Sequence, residues 1–144
     1  MKAKEFLSQY FAASIKEQIA EKELESLRQS MSDIKAKDYS KVAVDGTRST
    51  DKIGDLVARI QDEEKKVLDT KVLARKQLVD VIRVIGKIED PLVMEVLYRR
   101  FNIFETWERI GYEMCYSVRH VHNLKVKGYK ETERILSEDR VWKS

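Results

Sequence analysis

Only one proline, Pro91, interrupts the 144 residues, and the chain before it repeats apolar side chains every three or four positions. Proline ends or kinks a helix, so a sequence with a single proline and five glycines is free to run in long helices. Phe6, Tyr10, Ala13, Glu17, Ala20, Leu24, Leu27 and Met31 form a heptad seam broken at Glu17, which predicts a helix over residues 2–31. Ile53, Val57, Ile60, Glu64, Val67, Lys71, Ala74, Leu78, Val81, Ile85 and Ile88 form a second seam, capped by Thr50 or Asp51 and ending near Ile88. That helix would span roughly 55 Å, too long to bury its seam within one small globule. The first, at about 45 Å, is expected to fold back beside it as an antiparallel hairpin. Glu64 and Lys71 interrupt the seam and are expected to set register at a cost in stability. Val79, Ile82 and Val84 add apolar surface on further faces, which predicts a homodimer or contact with the C-terminal domain.

Residues 32–51 lose the period, collect Ser, Thr, Asp and Gly46, and read as a loop that Tyr39, Val42 and Val44 could dock. Asp90-Pro91 starts a new helix, because Asp caps well and the N–H that proline lacks has no partner at the first helical position. Leu92, Val93, Val96, Leu97 and Phe101 are its expected buried stripe, with Arg99 and Arg100 at its C-terminus, where cations complement the helix dipole. The fold class is therefore all-α. A long antiparallel helical hairpin (coiled coil) over residues 1–89, with its loop at 32–51, precedes a three-helix helix-turn-helix domain over 90–144.

The spacing within TWERIGYEMCYSVRHVHNLKVKG, residues 106–128, carries the second expectation. Ile110, Gly111, Met114, Val118, Val121 and Leu124 fall where two short helices crossed at a tight turn bury their side chains. Thr106 and Ser117 stand where a hydroxyl caps each helix. Gly111 is small where one helix must approach the other, and Cys115 occupies the turn. Arg119, His120, Asn123 and Lys127 are then expected to project into a major groove. Ser117, Val118, His122 and Lys125 complete the residues assigned to double-stranded DNA. From residue 117 to 130, Arg119, Lys125, Lys127 and Lys130 are basic and no residue is acidic. The net charge is only +3, so contact with nucleic acid rests on this local patch. The last helix has the pattern to continue through Tyr129, Thr132 and Leu136.

This order of hairpin, Asp-Pro and helix-turn-helix resembles the ArpU-type phage late transcriptional regulators, short proteins of Gram-positive phages. RSTDKIGDLVARI at residues 48–60, EDPLVMEVLYRRF at 89–101 and TWERIGYEMCYSVRHVH at 106–122 carry the resemblance. The last piece is also similar to the promoter-reading C-terminal domain of sigma factors. The resemblance implies DNA binding in control of phage late genes, with Arg119, His120, Asn123 and Lys127 toward DNA. Such a regulator would have RNA polymerase or another transcription factor as a further partner. Three features depart from the family pattern. Phe104 and Glu105 replace the usual Gly-Lys before Thr106. Cys115 stands where Gly is typical, which costs about 1 kcal/mol or more if the turn is left-handed. Gly128 replaces Ala, weakening a helix interior by ~1 kcal/mol.

Other chemistry finds little footing. Cys115, His120 and His122 match no standard zinc spacing, and a fourth ligand is missing. Gly46 and Gly54 are isolated, so there is no Gly-rich phosphate loop. Nothing marks Cys115 as an activated nucleophile. No metal, cofactor or enzymatic activity is expected. Asp62, Glu63 and Glu64 before Lys65 and Lys66 read as a solvated helix face. A lone cysteine, no signal-peptide core in KAKEFLSQY and no membrane-length apolar stretch predict a cytoplasmic protein of a host bacterial cell, without a membrane partner. Two other functions fit the same parts: a DNA-packaging protein like a terminase small subunit, and a protein-protein interaction module derived from such a regulator.

Overall fold

The computed structural model describes residues 2–40 and 46–143, with side chains over 2–37 and 52–139. The described residues are all-helical, with α1 at Ala3–Ser40, α2 at Gly46–Gly86, α3 at Pro91–Phe101, α4 at Trp107–Met114 and α5 at Val118–Lys143. No helix among them is long and apolar enough to cross a membrane.

The expected loop over residues 32–51 is corrected by these bounds. Helix α1 continues through Ser40 and α2 already begins at Gly46. Residues 32–40 contain neither Gly nor Pro, and their short polar side chains each cost only a few tenths of a kcal/mol in a helix. A nucleated helix propagates through such a stretch. The turn before it is locally tied, with Ser30 Oγ donating to the Ser26 carbonyl at 3.1 Å and Gln29 Nε2 to Asp33 Oδ1 at 3.2 Å. Docking by Tyr39, Val42 and Val44 lies outside the described residues.

The chain divides into two compact units, Ser14–Leu73 and a second made of Met1–Ala13 with Ala74–Ser144. Within Ser14–Leu73, α1 and α2 run antiparallel. Glu21 pairs with Lys71 at 3.2 Å, Glu23 with Lys66 at 3.4 Å and Arg28 with Glu64 at 3.1 Å, so rising numbers on one helix meet falling numbers on the other. Ala20, Leu24 and Val67 are buried between them, with Ile60 packed alongside. Glu64 and Lys71, the polar breaks in the seam, thus each find an opposite charge on α1. These pairs are about half exposed and worth ~0–1 kcal/mol each, so they select register more than they add stability.

The other unit places its boundary elsewhere than the expected division at residues 89 and 90. Leu7 from α1 and Val81, Val84, Ile85 and Ile88 from the end of α2 share one core with Val93, Val96, Leu97, Phe101, Ile110, Val121, Leu124 and Ile135. An isolated three-helix domain would leave that apolar surface wet, at about 25 cal/mol per Å². Val84 therefore belongs to the core, whereas Val79 and Ile82 remain 50% and 44% exposed.

Local chemistry sets the joints of this unit. Helix α2 winds down through Lys87 N–H to Val84 O at 3.1 Å and Ile88 N–H to Ile85 O at 3.0 Å. Asp90 Oδ1 then accepts from Leu92 N–H at 2.9 Å, with Pro91 at the first helical position as expected. After α3 the backbone turns at Phe104, whose φ of 67° is left-handed. A non-glycine residue there costs roughly 1–2 kcal/mol. The Phe104 ring offsets part of this by meeting Tyr10 at 5.5 Å and Phe11 at 5.1 Å between centroids. Arg99 does more than oppose the dipole: it pairs with Glu95 at 3.1 Å and with Glu105 at 3.4 Å, closing the α3–α4 turn.

Helices α3 and α5 touch at Gly128, where an added Cβ would fall 2.8 Å from Leu97 Cδ1. The glycine that weakens α5 as a helix is what lets α5 approach the fully buried Leu97. One turn on, the buried Thr132 satisfies its hydroxyl by donating to the Gly128 carbonyl at 2.7 Å.

Candidate nucleic-acid interface

The caps and the turn between them fix how α5 leaves α4. Helix α4 is capped by Thr106, extended at φ −70° and ψ 157°, whose Oγ1 accepts from Arg109 N–H at 3.1 Å. It ends at Cys115, which is left-handed at φ 61° and ψ 39°. The next residue, Tyr116, returns its N–H to the Gly111 carbonyl at 2.8 Å, a closure that depends on the left-handed residue before it. Gly111 is obligatory for a matching reason: a Cβ there would sit 2.8 Å from the Tyr116 carbonyl oxygen. Ser117 Oγ then accepts from His120 N–H at 3.1 Å and starts α5. Ile110, Gly111, Val121 and Leu124 are buried and Met114 partly so, but Val118 stays 40% exposed and does not join the inner face.

The Cys115 side chain is exposed, so replacing it removes strain without removing buried contact. Cys115→Gly is expected to stabilise the fold by up to about 1 kcal/mol, the left-handed penalty reduced by the greater freedom of glycine in the unfolded chain. A lower urea midpoint would show that the thiol contributes packing.

The eight residues assigned to DNA from the sequence divide between faces of α5. Ser117 is at the cap. Arg119 and Asn123 are exposed one turn apart, opposite the buried line of Val121, Leu124 and Gly128. His120 and Lys127 are exposed along one flank, where His120 stacks edge-on against Tyr116 at 4.6 Å. Val118, His122 and Lys125 recur at four and three residues with Tyr129 and form the other flank, turned toward Trp107. His122 is half-buried, 5.9 Å from the Trp107 ring, and its Nδ1 is buried without a hydrogen-bond partner. Lys125 Nζ lies 5.2 Å from the Trp107 centroid. Burial pushes the neighbouring Tyr129 phenol above its usual range, with the Arg100 guanidinium opposing.

Sequence reasoning overlooked Trp107 and Arg100 beside this face. The available signal was the spacing of residues 118, 122, 125 and 129, a strip about 100° around the helix from Arg119 and Asn123. Among the described residues no three His, Cys, Asp or Glu side chains are grouped to hold a metal ion.

No protein-family model, curated protein or solved structure matches the chain.

Proposed function

We propose that the chain binds double-stranded DNA sequence-specifically with α5 in the major groove, as a dimeric transcriptional regulator of the phage late-gene type. The observation that carries this reading is the outward face of α5. Arg119 and Asn123 stand exposed within the first two turns after a Ser117 cap, and residues 117–130 contain no acidic side chain. The N-terminal turns of a recognition helix are the part that reaches base edges. Arg on guanine or Asn on adenine discriminates by about 1–3 kcal/mol each. Lys127, farther along, suits a phosphate contact. Val79 and Ile82, exposed on α2, support pairing of two chains, since covering them returns about 25 cal/mol per Å². A dimer would set two such helices on successive major-groove faces and leave its hairpin surface to RNA polymerase or another transcription factor.

Selection of bound duplexes from a random pool tests the reading. The expected product is a two-fold symmetric site with half-sites roughly 10 base pairs apart. Arg119→Ala or Asn123→Ala is expected to erase preference at one position of each half-site, whereas Lys127→Ala should weaken all sequences together and reduce the salt slope by about one unit. No enrichment from the pool, or unchanged preference in both Arg119→Ala and Asn123→Ala, would remove α5 from this role.

A further inference from the structure

Trp107 opens α4 with two cations close to its indole. The Arg100 guanidinium carbon is 5.0 Å from the ring centroid and Lys125 Nζ is 5.2 Å from it, with Lys125 also 5.9 Å from the Tyr129 ring. Phe101 backs the indole edge-on at 6.3 Å. Arg100, Trp107, Lys125 and Tyr129 are all partly exposed. The Glu105 carboxylate is already committed to Arg99 at 3.4 Å, and only the Glu105 carbonyl accepts from Arg100, at 3.0 Å. Arg100 and Lys125 form no ion pair among the described residues.

An aromatic face attracts a cation through its quadrupole and carries no net charge. The ring therefore holds both side chains in place without neutralising them. A guanidinium over a ring also keeps its N–H donors in its own plane, where those that Arg100 does not give to the Glu105 carbonyl can meet an oxyanion. The result is a pre-ordered pair of positive charges, a form suited to phosphate oxygens.

We propose that Arg100 and Lys125, held over Trp107, grip backbone phosphates of the strand that borders the groove read by α5. The inference rests on the duplex-DNA reading above and gives these residues a part in it distinct from base recognition. An α-helix with its side chains is about as wide as the major groove, so a helix seated there has a sugar-phosphate strand along each flank. The strip of His122, Lys125 and Tyr129 lies on one such flank, and Arg100 extends it from α3.

The test uses the full chain with Trp142→Phe, which leaves Trp107 as the sole indole. A labelled random-sequence duplex reports binding by anisotropy while Trp107 emission is recorded. Saturation with duplex is expected to change the emission as the cations turn to phosphate. Arg100→Gln and Lys125→Gln are each expected to weaken every sequence alike by about five- to tenfold at 0.1 M salt and to lower the salt slope by about 0.9. Arg100→Lys should keep the slope, which separates charge from any disturbance of the α3–α4 turn, and thermal midpoints verify that the variants fold. Duplex binding with unaltered emission and unaltered slopes in both glutamine variants would overturn this inference and leave the wider reading standing. Competition by micromolar inorganic pyrophosphate would mark a site for free phosphates and overturn it as well. Absence of duplex binding by the parent chain would overturn both.

Discussion

Leu97→Ala is expected to destabilise the unit containing α3–α5 by about 2–5 kcal/mol, measured by urea unfolding. Leu97 is fully buried, and its side chain fills the space beside Gly128, where a Cβ on α5 would stand 2.8–3.0 Å from Cδ1, Cδ2 and Cγ. Gly128→Ala alone sets two effects against each other. The helix gains ~1 kcal/mol of propensity, and overpacking of a side chain that cannot withdraw costs about 1–3 kcal/mol. The net expectation is a loss of up to about 2 kcal/mol. In the Leu97→Ala background the obstruction is gone, and Gly128→Ala should change sign to a gain of ~1 kcal/mol. Additive single and double variants, with no coupling between the two sites, would show that Gly128 is not shaped by Leu97.

Gly111→Ala is the second large effect, an expected loss of about 2–3 kcal/mol even after the gain in helix propensity. Its new Cβ would meet the Tyr116 carbonyl oxygen at 2.8 Å. That atom is backbone, in a turn tied by the Tyr116 N–H to the Gly111 carbonyl, so relief requires the turn itself to open and forfeit a hydrogen bond. Gly54→Ala is the control within the same chain. Nothing lies within 4 Å of a Cβ there, and it should stabilise α2 by up to ~1 kcal/mol. Equal effects of the two substitutions on the urea midpoint would remove the special role of Gly111. A loss of DNA affinity in Gly111→Ala would follow from misdirection of α5, since the residue itself lies on the inner side.

What could be read in advance followed how local its cause is. The caps Asp90, Thr106 and Ser117 were legible because each accepts a hydrogen bond from a residue two or three positions on. The left-handed turn at Cys115 was legible as a departure from a glycine pattern. Residues 32–40 mislead, because Ser and Asp resemble punctuation although neither stops a helix that has already formed. Helical geometry turns His122 and Lys125 toward Trp107 and away from the face of Arg119 and Asn123, a division that proximity in sequence hides. Phe104 could not be understood locally at all. Its strain is balanced by Tyr10 and Phe11, and no periodicity within the third and fourth helices points to a partner on the first. Gly128 was legible as a cost, and its benefit depended on Leu97 across the core.

The unit built from Met1–Ala13 and Ala74–Ser144 also constrains the order of events during synthesis. Chains emerge at about 5–20 residues per second and fold as their partners appear. The contacts of Ser14–Leu73 lie between neighbouring helices and can form while translation continues. The core of Leu7 is completed only later, because it includes Val121, Leu124 and Ile135, which follow far along the chain. Loop closure grows only slowly with length, by about 0.6 kcal/mol per doubling, so the delay is chiefly one of waiting for sequence. Until α5 is complete, the first turns of α1 carry Phe6, Leu7 and Tyr10 without their final neighbours. During that wait these apolar side chains are open to chaperones and to mispairing with another copy.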